Sequence, residues 1–523
     1  MADQSHIEGL HFDAGAVERL TVALARHAES RPDTAALVLD GQRMSFADLE
    51  RRTRAAQALL ARHGIGPGQR IAWCGVNHPD FFAAMLAAMR SEIVLVPINW
   101  RQKQREIAYV LADSGARLVV VDEAFRQTVA DAAPADVELL ETATFSQRLD
   151  AAPLESAEVG GDREAPALLL YTSGTTGSPK GVQLSEAAIS VGREMEELTG
   201  GFDDWTDREV LLSPLPLFHI GGICWALCGL VRGCTVILTN NPAPTALLDL
   251  CLAEDVSRTF MVPQLVRGLI EEMVGRGVRV GTLKGIHYGA APMDPPLLER
   301  GIREIGCRFL QYFGMTEMAG TISILPPSAH DPARPQLLRS VGKVLPGSAI
   351  EIRDPLGAVL PLGEAGEIWT KGPTMMLGYA NRPEQTAEAI VDGWYRTGDG
   401  GRLDEEGYLY LTDRIKDMIV TGGENVYPVE VEAVLREHPS VADCAVYGLP
   451  DAHWGERVCA ALELRPGASL EAGAIIDFVK SQIAGYKAPR QVDQVEALPR
   501  TASGKIQRAR LRQDMLERAN AGN

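Results

Sequence analysis

Apolar positions recur at helical spacing over residues 14–29, and again from Ser45, a serine N-cap, to about Arg62. Between and beyond these stretches lie short contiguous apolar runs at residues 35–39, 71–74, 93–96 and 118–121. Runs of that length, alternating with helical segments, read as strands of a sheet covered by helices on both faces. The alternation continues through strand-like runs at 167–170, 210–212, 235–238, 259–262 and 308–312. From residue 340 to 372 the texture becomes short β segments (341–342, 350–353 and 367–370) without a helix, which suits a small barrel or sandwich. Beyond Asp413 comes a separate α+β unit of about 110 residues. Its elements are a helix at 428–437, strands at 442–447 and 458–464, and a helix at 472–483. Residues 151–164, poor in large apolar side chains, read as a connector.

The pattern therefore predicts an α/β protein. A large N-terminal domain of helix-covered sheets with a small β-barrel-like part spans 1–415, and a small α+β domain spans 416–523. The length of 523 residues exceeds what one hydrophobic core usually serves, in agreement with that division. Hydrophobic content of 46% and charged content of 23% are ordinary for a globular chain. A net charge of −18 argues against nucleic-acid binding or an anionic-membrane surface, but not against anionic small ligands, which need only a local positive site. Eight scattered cysteines without a CxxC pair, and no secretory signal, predict reduced thiols in a cytoplasm. The apolar stretches are interrupted, for example by Arg232, so no membrane span is expected.

Candidate chemistry centres on Tyr171-Thr172-Ser173-Gly174-Thr175-Thr176-Gly177-Ser178-Pro179-Lys180-Gly181-Val182. An apolar run precedes it and an amphipathic segment, 185–198, follows it, which places it on a strand-to-helix turn. Glycines let backbone N–H groups approach an anion, hydroxyls add donors, and Lys180 adds charge. It is not a Walker A loop, since Pro179 precedes the lysine and Gly181 follows it.

The stretch resembles the phosphate-binding loop of the adenylate-forming superfamily, which includes acyl-CoA synthetases, peptide-synthetase adenylation domains and firefly-type luciferases. Further segments resemble the same family in the same order, through residue 506. In Pro214-Leu215-Pro216-Leu217-Phe218-His219 the histidine alone would more often be packed core; the resemblance implies that it lines the carboxylate pocket. Amino-acid-activating members commonly carry an aspartate in this region, and its absence here disfavours an amino acid substrate. In Tyr288-Gly289-Ala290-Ala291-Pro292 the small residues allow a flat base to lie against the backbone, and the resemblance implies an adenine contact.

Gln311-Tyr312-Phe313-Gly314-Met315-Thr316-Glu317 follows a strand end, where open α/β sheets bind ligands. There Tyr312 is expected to stack on adenine, Thr316 to donate to the α-phosphate and Glu317 to hold Mg²⁺. Asp399, in Trp394-Tyr395-Arg396-Thr397-Gly398-Asp399, is expected at a turn that takes the ribose hydroxyls. Two departures from the family pattern are Gly400-Gly401 after this aspartate, expected to loosen the turn, and Ser91-Glu92 where relatives often have glycine.

By the same resemblance Arg414 contacts ribose or phosphate, Lys416 is the hinge, and Gly422 and Gly423 approach the tunnel of the thiol acceptor. Lys505, in Pro499-Arg500-Thr501-Ala502-Ser503-Gly504-Lys505, bridges the carboxylate and the phosphates. The implied nucleotide set is Thr172, Ser173, Gly174, Thr175, Thr176, Gly177, Lys180, Gly289, Ala290, Ala291, Gln311, Tyr312, Gly314, Met315, Thr316, Asp399, Arg414 and Lys505. The implied catalytic set is Lys505, His219, Thr316, Glu317 and Lys180, with Thr172 and Glu317 as metal ligands. Family analogy also gives an acid pocket of His219, Trp225, Val262, Gly289, Met315 and Gly320.

The expected activity is an ATP-dependent carboxylate–CoA ligase that acts through an acyl-adenylate and uses ATP, Mg²⁺ and coenzyme A. The mainly apolar or small pocket residues suit a fatty, aromatic or alicyclic acid. An adenylating enzyme that loads a carrier protein is one rival, although no carrier segment follows residue 523. Others are a luciferase-like oxygenase, a non-catalytic ATP-binding relative and a phosphoryl-transfer kinase or ATPase. A homodimer is compatible with the sequence.

Overall fold

The apolar runs assemble into sheets. The computed structural model describes residues 6–152, 160–172, 179–291, 293–414, 419–421, 424–426, 428–451, 454–483, 485–500, 504 and 506–521. It divides into two units: Glu8–Ala349 with Thr370–Tyr395, and Met1–Ile7 with Ile350–Trp369 and Arg396–Asn523.

Among the described residues, the first unit holds a seven-stranded and a nine-stranded sheet. The seven-stranded sheet runs Gly378–Tyr379, Lys180–Ser185, Pro166–Thr172, Val94–Pro97, Arg70–Cys74, Leu118–Val121 and Glu138–Glu141. Its central strands are parallel and fully buried, which is why they read as unbroken apolar runs. The nine-stranded sheet has at its centre the parallel neighbours Arg308–Phe313, Gly285–Gly289, Arg258–Met261, Val210–Ser213, Thr235–Leu238 and Ala35–Leu39. Antiparallel strands, Ser323–Leu325 and Gln42–Ser45, flank that parallel core.

Ser45 caps the Phe46–Arg62 helix as expected, through a reciprocal capping box with Asp48. The helix expected over 14–29 is instead a 3₁₀ turn at Ala14–Ala16 followed by a helix at Leu20–Ser30. The break lies where Arg19 takes an extended backbone and its guanidinium is held by Glu186 and the Gly161 carbonyl. Glu92, where relatives often carry glycine, adopts φ of 53°, a left-handed conformation that favours glycine.

In the second unit, residues 399–403 of the Trp394–Leu403 strand pair antiparallel with Leu409–Arg414. Further along the chain, Val441–Asp451 and Gly455–Leu464 form a long antiparallel pair, joined by Ile419–Thr421, Glu424–Val426 and Gln491–Gln494. The Pro428–Glu437 and Ala472–Gln482 helices supply Val431, Leu435, Ile475 and Val479 to its core. These elements match those expected for the C-terminal α+β unit, within a residue or a few at each end. No described helix is long and apolar enough to cross a membrane, and the eight cysteines are unpaired.

A buried ion pair ties three helices of the first unit together. Arg52 places Nε 2.5 Å and Nη2 2.8 Å from the two oxygens of Asp80, which is fully buried and also accepts from Ser146. Burial alone would raise the Asp80 carboxyl, but Arg52 and Ser146 outweigh it and hold the group below the usual carboxylate range. The contribution is therefore present above pH of about 4 and is lost as pH falls further. Asp80→Asn leaves Arg52 with only the exposed Asp150 carboxylate as charge partner and should cost about 3 kcal/mol in a denaturant titration near neutrality. The gap between the two proteins should narrow in acid.

Candidate active site

Two paired strands flank residues 173–178. Thr172 and Lys180 are register partners in the antiparallel pair of Pro166–Thr172 with Lys180–Ser185. The expected strand-to-helix turn is therefore a strand-to-strand connection, because Val182 and Leu184 are buried and pair with Leu170 and Leu168 before any helix begins. The helix follows at Glu186–Glu197, and Ser185 caps it by accepting from Ala188 N at 3.1 Å. Ser173, Gly174, Thr175, Thr176 and Gly177 lie outside the described residues.

Side chains distant in sequence pin both flanks of that segment. Tyr109 donates to the Pro179 carbonyl at 2.9 Å, and Tyr171 donates to Asp113 at 2.9 Å. Arg382 joins the two anchors, reaching Tyr109 at 3.0 Å and Asp113 at 2.9 Å. Burial, reinforced by Asp113, raises the Tyr171 phenol well above its ordinary value, so it remains a donor. None of these anchoring roles carries a local sequence signal.

Lys180 and Glu317 meet on one tyrosine that the motifs did not include. The Lys180 ammonium lies 4.8 Å from the centre of the Tyr379 ring, and Tyr379 donates to Glu317 Oε1 at 3.2 Å. Its hydroxyl is also 3.2 Å from that of Tyr395. Burial first, and the Glu317 carboxylate next, raise the Tyr379 phenol, which keeps its proton. Backbone pairing fixes the arrangement: Tyr379 is the register partner of Val182, and Met376 N donates to the Glu317 carbonyl at 2.8 Å. Thr316 and Glu317, both 9% exposed, open a 3₁₀ turn at Thr316–Met318. The cluster sets a cation over one aromatic ring and a carboxylate at that ring's hydroxyl.

Among the described residues there is no group of three or more metal-ligating acids, histidines or cysteines. One carboxylate, Glu317, with Thr172 beside the phosphate segment fits a hard cation that takes its other ligands from phosphate and water, and not an all-protein cage.

Two strand ends supply flat, glycine-lined backbone. A Cβ on Gly289 would lie 2.5 Å from the Tyr312 carbonyl oxygen, and one on Gly314 would lie 2.2 Å from the Gly320 carbonyl oxygen. Neither position can carry a side chain without moving backbone. Ala290 takes a left-handed φ of 64° as the chain leaves the strand and runs into Ala291.

Side-chain directions at the second strand end differ from expectation. Tyr312 is not free to stack on adenine: its ring is buried against Phe260, and its hydroxyl is 2.9 Å from His287 Nδ1. Alternation along the strand puts Phe313 on the opposite face, and it is the half-exposed aromatic ring at this strand end. The Gln311 side chain accepts from Tyr288 at 3.2 Å in the interior, which leaves its backbone for any ligand contact.

The expected acid-pocket residues lie on elements of the same unit. His219 is half-buried and caps the Ile220–Leu230 helix, its Nδ1 accepting from Gly221 N at 3.3 Å. Trp225 on that helix is buried, donates to the Leu212 carbonyl at 2.9 Å, and lies 4.6 Å from the His287 ring. Gly320, with φ of 106°, leaves room beside Cys224 Sγ and Ile220, while Met315 and Val262 are half-buried.

In the other unit Asp399 lies within the Trp394–Leu403 strand, as the register partner of Arg414. The expected loose turn at Gly400-Gly401 is a bulge in a continuous strand. A Cβ on Gly401 would come within 2.7 Å of Ile368, so this glycine fills a tight contact. Thr397 supports the aspartate, accepting from Asp399 N at 3.0 Å while donating to the Ile368 carbonyl. Lys416, Gly422, Gly423 and Lys505 lie outside the described residues.

Comparison with known proteins follows this geometry. Residues 24–380 match the family model of the AMP-binding enzyme, and residues 430–505 match that of the AMP-binding enzyme C-terminal domain. A fatty acid–[acyl-carrier-protein] ligase of Streptomyces coeruleorubidus is 35% identical, covering 95% of this chain and 96% of that protein. A feruloyl-CoA synthase of an Amycolatopsis species is also 35% identical, over 93% and 97%. The o-succinylbenzoate CoA synthetase of Bacillus subtilis, solved with its acyl-adenylate intermediate, is 32% identical with a TM-score of 0.84, over 94% and 97%.

The Tyr379 hydroxyl can be tested apart from its ring. Tyr379→Phe keeps the face under Lys180 and should lower stability by about 1 kcal/mol. Tyr379→Ala removes the ring as well and should cost about 3–5 kcal/mol, both read by thermal and denaturant unfolding.

Proposed function

The chain belongs to the AMP-binding enzyme family, and we propose that it joins a carboxylic acid to coenzyme A through an acyl-adenylate, releasing AMP and pyrophosphate. The observation that carries this reading is the Lys180–Tyr379–Glu317 cluster beside the glycine-lined strand ends. A free carboxylate is a poor acyl donor because its leaving group would be oxide. Attack of the carboxylate oxygen on the α-phosphorus of ATP makes AMP the leaving group instead, and pyrophosphate departs.

Negative charge builds on the phosphates at that moment, and preorganised cations and donors stabilise it. Lys180 supplies a cation held at a fixed place by the Tyr379 ring, and Thr316 supplies a hydroxyl one residue away from Glu317. Glu317, with Thr172, would hold Mg²⁺, which when bound neutralises phosphate charge. Phe313 offers the aromatic face for adenine that Tyr312 cannot, and the backbone of 289–291 and Gly314 lets a flat base approach. Asp399 is assigned to the ribose hydroxyls and Arg414 to ribose or phosphate. His219 is assigned to the carboxylate end of the acid.

Lys505, at the end of the stretch that matches the C-terminal family model, is assigned to the carboxylate and phosphates during adenylation. A domain rotation about Lys416 would withdraw it and bring Gly422 and Gly423 toward the thiol, which then attacks the acyl carbonyl and expels AMP. The boundary between the moving parts is assigned to residues 415 and 416.

A second reading keeps the adenylation and changes the acceptor to a carrier-protein thiol; the Streptomyces relative, named for that acceptor, favours it. Pyrophosphate release with a panel of acids, measured with and without coenzyme A, separates the two. Formation of an acyl-CoA supports the ligase, whereas acid-dependent pyrophosphate release without a thioester supports the carrier reading. Lys180→Ala should slow adenylation by about 10²–10³-fold with a stability change of no more than about 1 kcal/mol. Lys505→Ala should abolish adenylate formation and spare thioester formation from supplied acyl-adenylate; equal loss in both assays contradicts the division of labour.

A further inference from the structure

We infer that the acid site is shallow: Tyr312, Phe260, His287 and Trp225 form a floor beneath Gly289 that admits short, ring-sized acids and excludes long alkyl chains. The inference rests on the reading of Gly289 and Gly320 as walls of the acid site, and it narrows the substrate of that site.

The sheet's register sets the argument. On one face, Gly289 stands beside Tyr312, His287 beside Phe260 and Leu310, and Gly285 between Arg258 and Arg308. A chain entering at the Gly289 end and running down this face would meet those three rows in turn. The first two rows are filled. The missing Cβ of Gly289 would lie 3.2 Å from Phe260 Cζ and 3.3 Å from Tyr312 Cβ, so those rings begin directly below the glycine.

Beneath the glycine the rings interlock. Phe260 and Tyr312 are 5.5 Å apart between centres, Phe260 and Trp225 5.9 Å, and Trp225 and His287 4.6 Å. The Tyr312 hydroxyl fixes the layer through its 2.9 Å bond to His287 Nδ1. All four residues are at most 9% exposed. With both rows filled, an acid is confined to the space above the level of Gly289.

The third row would repel an alkyl chain even without the floor. Arg258 is fully buried, with Nη2 2.7 Å from Asp204 and Nε 3.3 Å from Glu209, and Arg308 also meets Asp204. A methylene chain reaching this level would have to displace or desolvate paired buried charges. The opposite face offers no detour, since Tyr288, Gln311 and His330 fill it with their own hydrogen bonds. A hexadecanoyl chain is longer than the whole Gly285–Gly289 strand, about 16 Å for its five residues.

The test uses the full-length protein and acid-dependent pyrophosphate release, with benzoate, 4-hydroxycinnamate, hexanoate, dodecanoate and hexadecanoate as probes. The floor predicts kcat/KM for hexadecanoate at least about 100-fold below that of the best one-ring acid. Tyr312→Ala should raise the ratio of hexadecanoate to one-ring turnover by at least about 10-fold, whereas Tyr312→Phe, which keeps the ring, should retain the wild-type length profile. Hexadecanoate activated by the wild type as well as the one-ring acids would overturn the length limit alone. Silence with every acid would overturn the ligase reading together with it. If Tyr312→Ala fails to fold, the wild-type profile decides the matter by itself.

Discussion

The Lys180–Ser185 strand is paired on both edges, and the geometry of the Lys180–Tyr379–Glu317 cluster depends on that pairing. One edge meets Pro166–Thr172, which puts Thr172 opposite Lys180. The other meets Gly378–Tyr379, which puts Tyr379 opposite Val182 and its ring under the Lys180 ammonium. A slip of one residue on either edge would turn every side chain of the strand to the opposite face. Lysine, tyrosine and carboxylate are thus held together by backbone register before any ligand arrives. The ordering entropy of three side chains is met in folding and not in the reaction.

That constraint explains how one site can hold several negative charges without a positively charged protein around it. The chain carries a net charge of −18, so the attraction for a nucleotide must be local. The Lys180 cation sits over a neutral phenol, whose proton is retained through burial and the neighbouring Glu317. The anchors at Tyr109, Tyr171, Asp113 and Arg382 do for the flanks of the phosphate segment what register does for Lys180. On the side proposed for the acid, rings and buried ion pairs occupy space instead of supplying charge.

Much of this was legible in the sequence, and the remainder has identifiable causes. Contiguous apolar runs such as 118–121 announced buried parallel strands, and Ser45 announced its helix, because burial and capping leave local traces. The two helices and the two long strands of the C-terminal unit are legible within a few residues for the same reason, whereas its short strands and last helix are not. The strand after the phosphate segment was missed because Lys180–Ser185 alternates weakly and runs straight into a helix cap. At the 311–317 motif the sequence points to Tyr312, but two adjacent aromatics stand there and their composition does not say which one faces away from the core. A strand alternates, and only the His287 partner of Tyr312 decides it. Tyr379 was missed because it reaches Glu317 across 62 residues, a separation that no local pattern encodes.

The central claim is that the carboxylate attacks the α-phosphorus of ATP. The most direct measurement is the fate of oxygen-18 from a labelled acid, followed by mass spectrometry of the products after a few turnovers. Label in AMP, with none in pyrophosphate or phosphate, is the predicted result, since the oxygen that bonds to phosphorus leaves with AMP when the thiol attacks. Label in inorganic phosphate, with AMP unlabelled, would mean activation through an acyl phosphate and would contradict the account.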